Sequence, residues 1–220
     1  MCRYMSYMVL ALLLAVVSSC GDEKYNDRIM LSDLVSIESS DESAGTTFTF
    51  QRYDDSPLIM LVDPKLALKE EFVGARALLY YYPESGHAYE SGAISAKGLN
   101  IVNSDTAIVR PISRYDWDAN PVYLNSVWRS GPYLNFRMRV DYSDEPRRFG
   151  LVVDSLTLTD PDPQLYLVHD LNGALDNFLR ECYASFDISK VWRLPSCRSV
   201  TVHVNDSNLN KDTYIFTKNN

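Results

Sequence analysis

Four oxygen-bearing side chains alternate within one short polar segment near the end of the chain. The segment DSNLNKD places them two residues apart: Asp206, Asn208, Asn210 and Asp212. A tight loop can aim alternate carboxylate and amide oxygens at one hard cation, which is how proteins bind calcium. The segment has Lys211 and Thr217 where an EF-hand loop has its glycine and its bidentate glutamate. Because Asn and Asp also stabilise turns through their own backbone, a hairpin turn is the alternative to a calcium site.

Two cysteines, Cys182 and Cys197, are separated by 14 intervening residues in the second half of the chain. In an oxidising compartment they could form a disulfide, and closing a loop of this length contributes about 3 kcal/mol. The alternative is two free thiols on separate strands, since pairing depends on a geometry that the sequence does not give. Neither cysteine has zinc-ligand spacing to a histidine or to another cysteine. We expect no bound cofactor.

The histidines His87, His169 and His203 do not fall in a catalytic motif. The chain lacks a G-x-S-x-G elbow, an H-E-x-x-H helix and a phosphate-binding glycine loop. His169 adjoins Asp170, but neighbouring residues of a strand point to opposite faces and cannot form a base and its orienting partner. The sequence therefore predicts a protein that is not an enzyme.

Three consecutive tyrosines, Tyr80, Tyr81 and Tyr82, precede a turn rich in proline and glycine. On a strand, Tyr80 and Tyr82 share one face and Tyr81 takes the other. At least one ring could be exposed as a stacking platform for a sugar or a peptide. The alternative is that one face fills a core and the other lines a domain interface.

The segments that must position these residues alternate with a period of two. TFTFQRY, residues 47–53, and YLNFRMRVDY, residues 133–142, place apolar side chains between polar ones, as half-buried strands do. Helical patterns are restricted to residues 64–74, which begin with proline and end with glycine, and to residues 173–182. The pattern predicts an all-β protein.

A polar segment framed by prolines, residues 110–121, separates two β-rich regions. We predict a first domain at residues 30–112, a linker at 113–120 and a second domain at 121–220. The first region has five strand-like runs, which suit an OB-like five-stranded barrel: LVSI, TTFTF, LIMLV, ARALLYYY and TAIV. The second has about seven short runs bounded by turn residues, which predict a C-terminal β-sandwich.

The N-terminus has the layout of a secretory signal at residues 1–19. One base, Arg3, precedes an uncharged apolar run from Met8 to Val17, and this run is too short to span a bilayer as a helix. The tetrapeptide VSSC resembles a bacterial lipobox, in which the cysteine, here Cys20, is acylated and becomes the first residue. A plain signal with a cysteine at its cut site is the alternative. Residues 20–29 would then form an acidic tether to a lipid anchor in the membrane.

The charge excludes one class of partner. The formal net charge is −8, and removal of residues 1–19 takes away one arginine and no acid, leaving −9. Nucleic-acid-binding proteins present a clustered basic surface, whereas this chain has no basic stripe. We expect no binding to nucleic acid.

The order of segments along the chain resembles the NigD-like lipoproteins of Bacteroidales. The resemblance covers most of the chain after residue 20, and its most specific part is Trp128 followed by SGPYLNFRM, residues 130–138. It implies an OB-like domain followed by a β-sandwich, and it brings no shared reaction or catalytic residue. The association of the family name with a bacteriocin gene cluster implies an immunity role. The chain departs from the family pattern at Asp54-Asp55-Ser56 and at His169-Asp170.

These patterns together predict a non-catalytic binding protein of the bacterial envelope. Residues 21–24, GDEK, resemble the acidic stretch of surface-exported lipoproteins, so we expect an outer-membrane protein at the cell surface. The leading interpretation is an interaction with a protein partner, either immunity-like or within a surface complex. A glycan-binding accessory lipoprotein that uses exposed aromatic rings is the alternative.

Overall fold

The computed structural model describes residues 29–142, 148–171, 178–209 and 211–218. The predicted signal, Cys20 and Asn210 lie outside the described residues. No helix within the described ranges has the length and apolar character needed to cross a membrane.

The first half of the chain forms a closed five-stranded barrel with the order β1-β2-β3-β5-β4. Its strands are β1 (Leu31–Asp41), β2 (Gly45–Phe50), β3 (Ile59–Asp63), β4 (Arg76–Pro83) and β5 (Gly92–Ile101). All neighbours pair antiparallel except β3 and β5, which are parallel. The predicted OB-like five-stranded barrel is confirmed.

Period-two alternation directs apolar side chains into the barrel. Val35 and Ile37 on β1 are buried together with Phe48 on β2 and with Leu79 and Tyr81 on β4. The β1–β2 turn requires glycine at position 45, where φ is +80° and a Cβ would lie 2.1 Å from the carbonyl oxygen of Asp63. Closure leaves the barrel without a free edge along these strands.

Two elements of the predicted barrel are wrong. The fifth strand is β5, whereas TAIV, residues 106–109, pairs with the second half of the chain. The helix predicted at residues 64–74 is not formed, and the chain there has only a 3-10 turn at Glu70–Phe72. Of the helix predicted at residues 173–182, residues 173–177 lie outside the described part, and residues 179–182 belong to a strand, Leu179–Asp187.

The second half is a two-sheet sandwich, which confirms the predicted C-terminal β-sandwich. The first sheet has the order β14-β13-β11-β10-β7 and the second has the order β6-β12-β9-β8. The strands are β6 (Asn103–Thr106), β7 (Ile108–Arg110), β8 (Tyr123–Ser130), β9 (Tyr133–Asp141), β10 (Arg148–Asp154), β11 (Gln164–Asp170), β12 (Leu179–Asp187), β13 (Ser199–His203) and β14 (Thr213–Thr217). One short α-helix, α1 (Ser189–Trp192), lies between β12 and β13 among the described residues.

The sandwich core lies between the inner faces of these sheets. Phe136 and Phe186 meet edge to face at 6.0 Å within it, and Leu134, Leu165 and Val202 are fully buried beside them. Polar side chains of β9 therefore point to the opposite face of their sheet. That outer face carries the contacts to the barrel.

Candidate functional site

The barrel packs against part of the outer face of the sheet β6-β12-β9-β8. A small apolar cluster marks the junction, formed by Leu34, Leu78 and Val102 with Tyr80, Trp128 and Tyr183 packed around it. Leu34, Leu78 and Tyr80 come from the barrel, whereas Trp128 and Tyr183 come from β8 and β12. Burial of these side chains favours the association of the two domains.

An arginine of β8 fixes the loop that connects β2 and β3 of the barrel. Arg129, only 2% exposed, donates two parallel hydrogen bonds to the Asp55 carboxylate at 3.0 and 2.8 Å. Asp54 lies 3.7 Å from the same guanidinium, and its backbone bonds to those of Arg129 and Gly131. The Arg129 guanidinium also lies 4.4 Å from the ring centroid of Trp192. The departure from the family pattern at Asp54-Asp55 thus supplies both carboxylates of this contact.

A second arginine, Arg76 of β4, crosses the junction in the other direction. Its guanidinium donates to Ser185 Oγ at 3.1 Å and to Asn135 Oδ1 at 3.3 Å, and it lies 4.1 Å from the Tyr133 ring centroid. Burial lowers the pKa of Arg76 to about 10. Because arginine still carries its charge at neutral pH, polar atoms of β9 and β12 must solvate it.

Beside this junction lies a groove of about 750 Å³ with walls from both domains. The barrel side contributes Leu78, Tyr80, Leu99, Asn100 and Ile101, followed by Val102 and Asn103. The sandwich side contributes Val140, Asp141, Tyr142, Phe149, Arg180, Glu181, Cys182 and Tyr183. Its volume falls within the range of small-molecule binding sites.

Aromatic and charged residues both line the sandwich wall. Tyr142 of this wall stacks on Phe178, with centroids 4.8 Å apart and planes 13° from parallel. Glu181 accepts from Arg137, which is not a lining residue, at 2.9 and 2.7 Å through Oε2, and the Tyr183 hydroxyl donates to Glu181 Oε1 at 3.2 Å. The wall can therefore offer apolar faces and hydrogen-bonding groups to one ligand.

Cys182, which lines the groove, is not activated as a nucleophile. Burial, helped by the neighbouring Glu181, raises the pKa of the Cys182 thiol to about 12. A thiol with this pKa stays protonated at neutral pH, and the thiolate is the reactive form. Burial likewise raises the pKa of Tyr183. The arrangement suits binding.

Residues 112–218 match the family model of the NigD-like C-terminal β-sandwich domain. The second half of the chain is a NigD-like C-terminal domain. The matched range contains Arg129, Asn135 and the entire sandwich wall of the groove.

Solved structures from Bacteroides share the fold of this protein. A protein of unknown function from Bacteroides vulgatus is 20% identical with a TM-score of 0.62, and 87% of this chain covers 92% of that one. A Bacteroides fragilis protein provisionally named a lipoprotein is 14% identical with a TM-score of 0.60, with coverage of 87% and 99%. A NigD-like immunity protein from Bacteroides caccae is 16% identical with a TM-score of 0.56, with coverage of 88% and 93%. No curated protein is significantly similar to the chain.

The three consecutive tyrosines of the chain have three different environments. Tyr81 is buried in the barrel and its hydroxyl donates to Asp33 at 3.0 Å. Tyr80 is half-buried and lines the groove. Tyr82 is half-buried, with the Lys97 ammonium 5.9 Å from its ring centroid. The three rings do not form one platform, and only Tyr80 contributes to the groove.

Cys182 and Cys197 are free thiols in the structure. Cys182 lies on β12, opposite Met138, whereas Cys197 lies before β13 and donates to the carbonyl of Ser199 at 3.3 Å. The structure therefore shows the free-thiol alternative and not the disulfide.

In the loop predicted to bind calcium, the first carboxylate, Asp206, makes structural hydrogen bonds. Asp206 accepts hydrogen bonds from the backbone of Leu124 and Asn208 at 3.1 and 2.8 Å, and from the Tyr214 hydroxyl at 3.3 Å. Asn208 donates to the Leu124 carbonyl. Within the described ranges no three His, Cys, Asp or Glu side chains converge as metal ligands. Asp206 thus ties the loop to β8, and calcium binding by the four-residue set, of which Asn210 lies outside the described residues, stays a prediction.

Replacing Asp206 by alanine should lower the free energy of unfolding by about 1–3 kcal/mol, because it leaves the backbone amides of Leu124 and Asn208 without their acceptor. The matched control is Asp212→Ala, an exposed acid of the same loop, which should stay within about 0.5 kcal/mol of wild type. Urea unfolding with and without calcium measures both effects. A stabilisation by calcium that both variants abolish would support the predicted calcium site.

No histidine is among the described residues that line the groove, although His169 packs on the lining residue Phe149. His169 is buried and stacks on Phe149 with centroids 4.8 Å apart. His203 stacks on Tyr166 at 4.3 Å, with Trp117 at the edge of both rings, and its Nε2 lies 2.7 Å from Gln164 Oε1. These contacts indicate packing roles in the sandwich.

Sequence reasoning missed the two arginines that join the domains. Arg129 and Asn135 stand inside or beside the segment that gave the strongest family resemblance. Two features of the sequence marked this region. Asn135 belongs to a strand with clear alternation, and Gly131 lies two residues after Arg129 in a tight hairpin. Gly131 has φ +56°, and a Cβ there would lie 1.9 Å from the Gln51 side chain of the barrel.

Proposed function

We propose that this protein is a lipid-anchored envelope protein that binds a partner in the groove between its domains and catalyses no reaction. The observation that carries the proposal is a groove whose walls come from both domains, with buried Arg76 and Arg129 holding those domains together. A preformed site loses less conformational freedom on binding than a flexible one. The raised pKa of Cys182 supports binding over nucleophilic chemistry.

The envelope location rests on the signal and on Cys20. Two or more acyl chains on one cysteine anchor a protein stably at a membrane, whereas one chain holds it reversibly. The structural similarity to a Bacteroides fragilis protein provisionally named a lipoprotein supports this assignment. Exposure at the outer-membrane surface is part of the proposal and follows from the acidic residues after Cys20.

An immunity-like role or membership of a surface complex is the form of binding that we favour. The similarity to a structure described as a NigD-like immunity protein supports it. A lipid-anchored protein meets an incoming toxin at the envelope, and the proposed anchor would place the groove there.

Replacing Cys20 by alanine should release the protein from the membrane fraction, because the acyl acceptor is lost. Cys2→Ala is the matched control, since Cys2 lies in the same signal but outside the lipobox-like tetrapeptide. Immunoblots of membrane and soluble fractions give the anchoring, and protease treatment of intact cells gives the side of the membrane. A Cys20→Ala protein that stays membrane-bound would contradict the anchor. Protection of wild type from protease would exclude surface exposure and favour a periplasmic partner.

A further inference from the structure

We infer that a second cavity between the domains binds a free α-amino acid with an apolar side chain. This cavity has a volume of about 220 Å³, and its walls come from strands β1, β2 and β4 of the barrel and from the β8–β9 hairpin of the sandwich. Among the described residues, the cavity and the groove have no lining residue in common. The cavity therefore adds a small-molecule site to the partner-binding groove of the proposed function.

Arg76 brings a buried positive charge to this cavity. The residue is 3% exposed, and its guanidinium donates to three neutral acceptors, Ser36 Oγ at 3.2 Å, Ser185 Oγ and Asn135 Oδ1. The Tyr133 ring covers one face of the guanidinium. Because a guanidinium has five N–H groups and three of them donate to these acceptors, two remain for a further acceptor. A buried cation is stabilised most by an acceptor that carries negative charge.

Glu38 brings a carboxylate to the rim of the same cavity. The pairing of β1 with β2 shifts register between Ile37 and Ser39, which makes Glu38 the extra residue of a β-bulge. Bulges change the direction of a side chain, and Glu38 Oε1 accepts a hydrogen bond from the hydroxyl of Thr49, another lining residue. Within the described ranges, neither Glu38 nor Arg76 forms an ion pair. Both charges are therefore available to a ligand between them.

Opposite charges in one cavity match a ligand that carries both. Arg76 would attract a simple anion that Glu38 repels, and the reverse holds for a simple cation. An α-amino acid has a carboxylate that accepts from the guanidinium and an ammonium that donates to Glu38. Ser36, which Arg76 contacts, lies two residues before Glu38, about 6–7 Å along β1. This spacing leaves room for the two charged groups of one amino acid.

The size and the apolar part of the cavity select the side chain of the ligand. A volume of about 220 Å³ equals the space of about seven water molecules, and it is below the about 300 Å³ at which sites for drug-sized ligands begin. Phe50, Leu58 and Pro132 supply apolar surface to the lining, and Leu58 is 60% exposed. Covering this surface with an aliphatic side chain would add affinity. Leucine has the required charges and an aliphatic side chain.

Isothermal titration of leucine into the full chain in a non-ionic detergent tests the inference. We expect a dissociation constant of about 1 mM or tighter. Two analogues of leucine each lack one charged group: 4-methylpentanoate has no ammonium, and 3-methylbutylamine has no carboxylate. Each should bind about tenfold more weakly than leucine, because it loses a hydrogen bond between charged groups.

Glu38→Gln should weaken leucine binding about tenfold, because it removes the charge that faces the ammonium and keeps the size of the side chain. Since Glu38 is exposed, this variant is expected to fold. Glu42→Gln is the matched control at an exposed acid outside the cavity, and it should bind leucine like wild type. Absence of leucine binding would overturn the inference. Equal affinity for leucine and 4-methylpentanoate would also overturn it, as would full affinity of Glu38→Gln for leucine.

Discussion

The double replacement Asp54→Asn with Asp55→Asn should lower the free energy of unfolding by about 3–5 kcal/mol, the cost of a buried charge that has lost its partner. Arg129 is 2% exposed and both of its carboxylate partners come from this one barrel loop. The asparagines keep the size of the side chains but remove both negative charges. Urea unfolding followed by tryptophan fluorescence measures the loss.

Adding Arg129→Met to this double variant should restore part of the lost stability. The buried charge is then gone, and a methionine of similar length fills its space. Asp116→Asn with Asp118→Asn is the matched control, because it removes two exposed carboxylates and changes the net charge equally. We expect the control to stay within about 0.5 kcal/mol of wild type. A double variant at positions 54 and 55 that lost less than about 1 kcal/mol would show that the ion pair is not what holds this loop.

Replacing Asn135 by leucine should cost about 3–5 kcal/mol, because it leaves several buried polar groups without partners at once. Asn135 is 0% exposed, and its Oδ1 accepts from Arg76 and from Ser185 at 3.3 and 2.8 Å. Its Nδ2 donates to Ser130 Oγ at 2.8 Å. Leucine has the branched shape of asparagine but is larger, so the loss would include overpacking as well as the cost of the unpaired polar groups.

Two further variants test whether the loss of stability in Asn135→Leu comes from the lost polar partners. Asn125→Leu, at an exposed position of β8, is the matched control and should have little effect. Asn135→Asp should cost less than Asn135→Leu, since a carboxylate would still accept from Arg76 and would provide it with a counter-charge. Equal losses for Asn135→Asp and Asn135→Leu, measured by urea unfolding, would contradict the proposed role of Asn135 in solvating Arg76.

The strands that alternate strictly were predictable, and those without alternation were not. Strands β2 and β9 place apolar residues at every second position, so local pattern alone identifies them. Strand β5, GAISAKGLNI, has two glycines and small residues, and only Ile94 is fully buried. Its place in the barrel is set by pairing with β4 and β3, which a local pattern does not contain.

The helix predicted at residues 64–74 failed because barrel strands take up its backbone groups. The Thr46 hydroxyl donates to the Leu66 carbonyl at 2.6 Å, and the Leu68 amide donates to Ser40 Oγ at 2.7 Å. These bonds hold the segment along β1 and β2, and Leu66 and Leu68 still pack against the barrel core. The pattern of apolar residues therefore predicted the burial of Leu66 and Leu68 correctly but predicted the wrong backbone conformation.

The candidate site was beyond local reasoning for a related physical reason. Tyr80, Glu181 and Tyr142 are distant in sequence, and only the docking of barrel and sandwich brings them to one groove. The sequence does show that each of these three residues lies on or beside a strand. Which face of the barrel packs against which face of the sandwich, however, depends on Arg76 and Arg129. Both arginines read as ordinary surface charges until their burial is known.

The passage from barrel to sandwich has an evolutionary consequence. Strand β6 is an edge of one sandwich sheet and β7 is an edge of the other, yet both precede residue 112, where the NigD-like domain match begins. A gene fusion that transferred residues 112–218 alone would leave β12 and β10 each with one unpaired edge, although β12 would still pair with β9 and β10 with β11. Unpaired strand edges promote aggregation. Recombination that separated the halves at that point would thus be selected against, so barrel and sandwich are expected to be inherited as one unit.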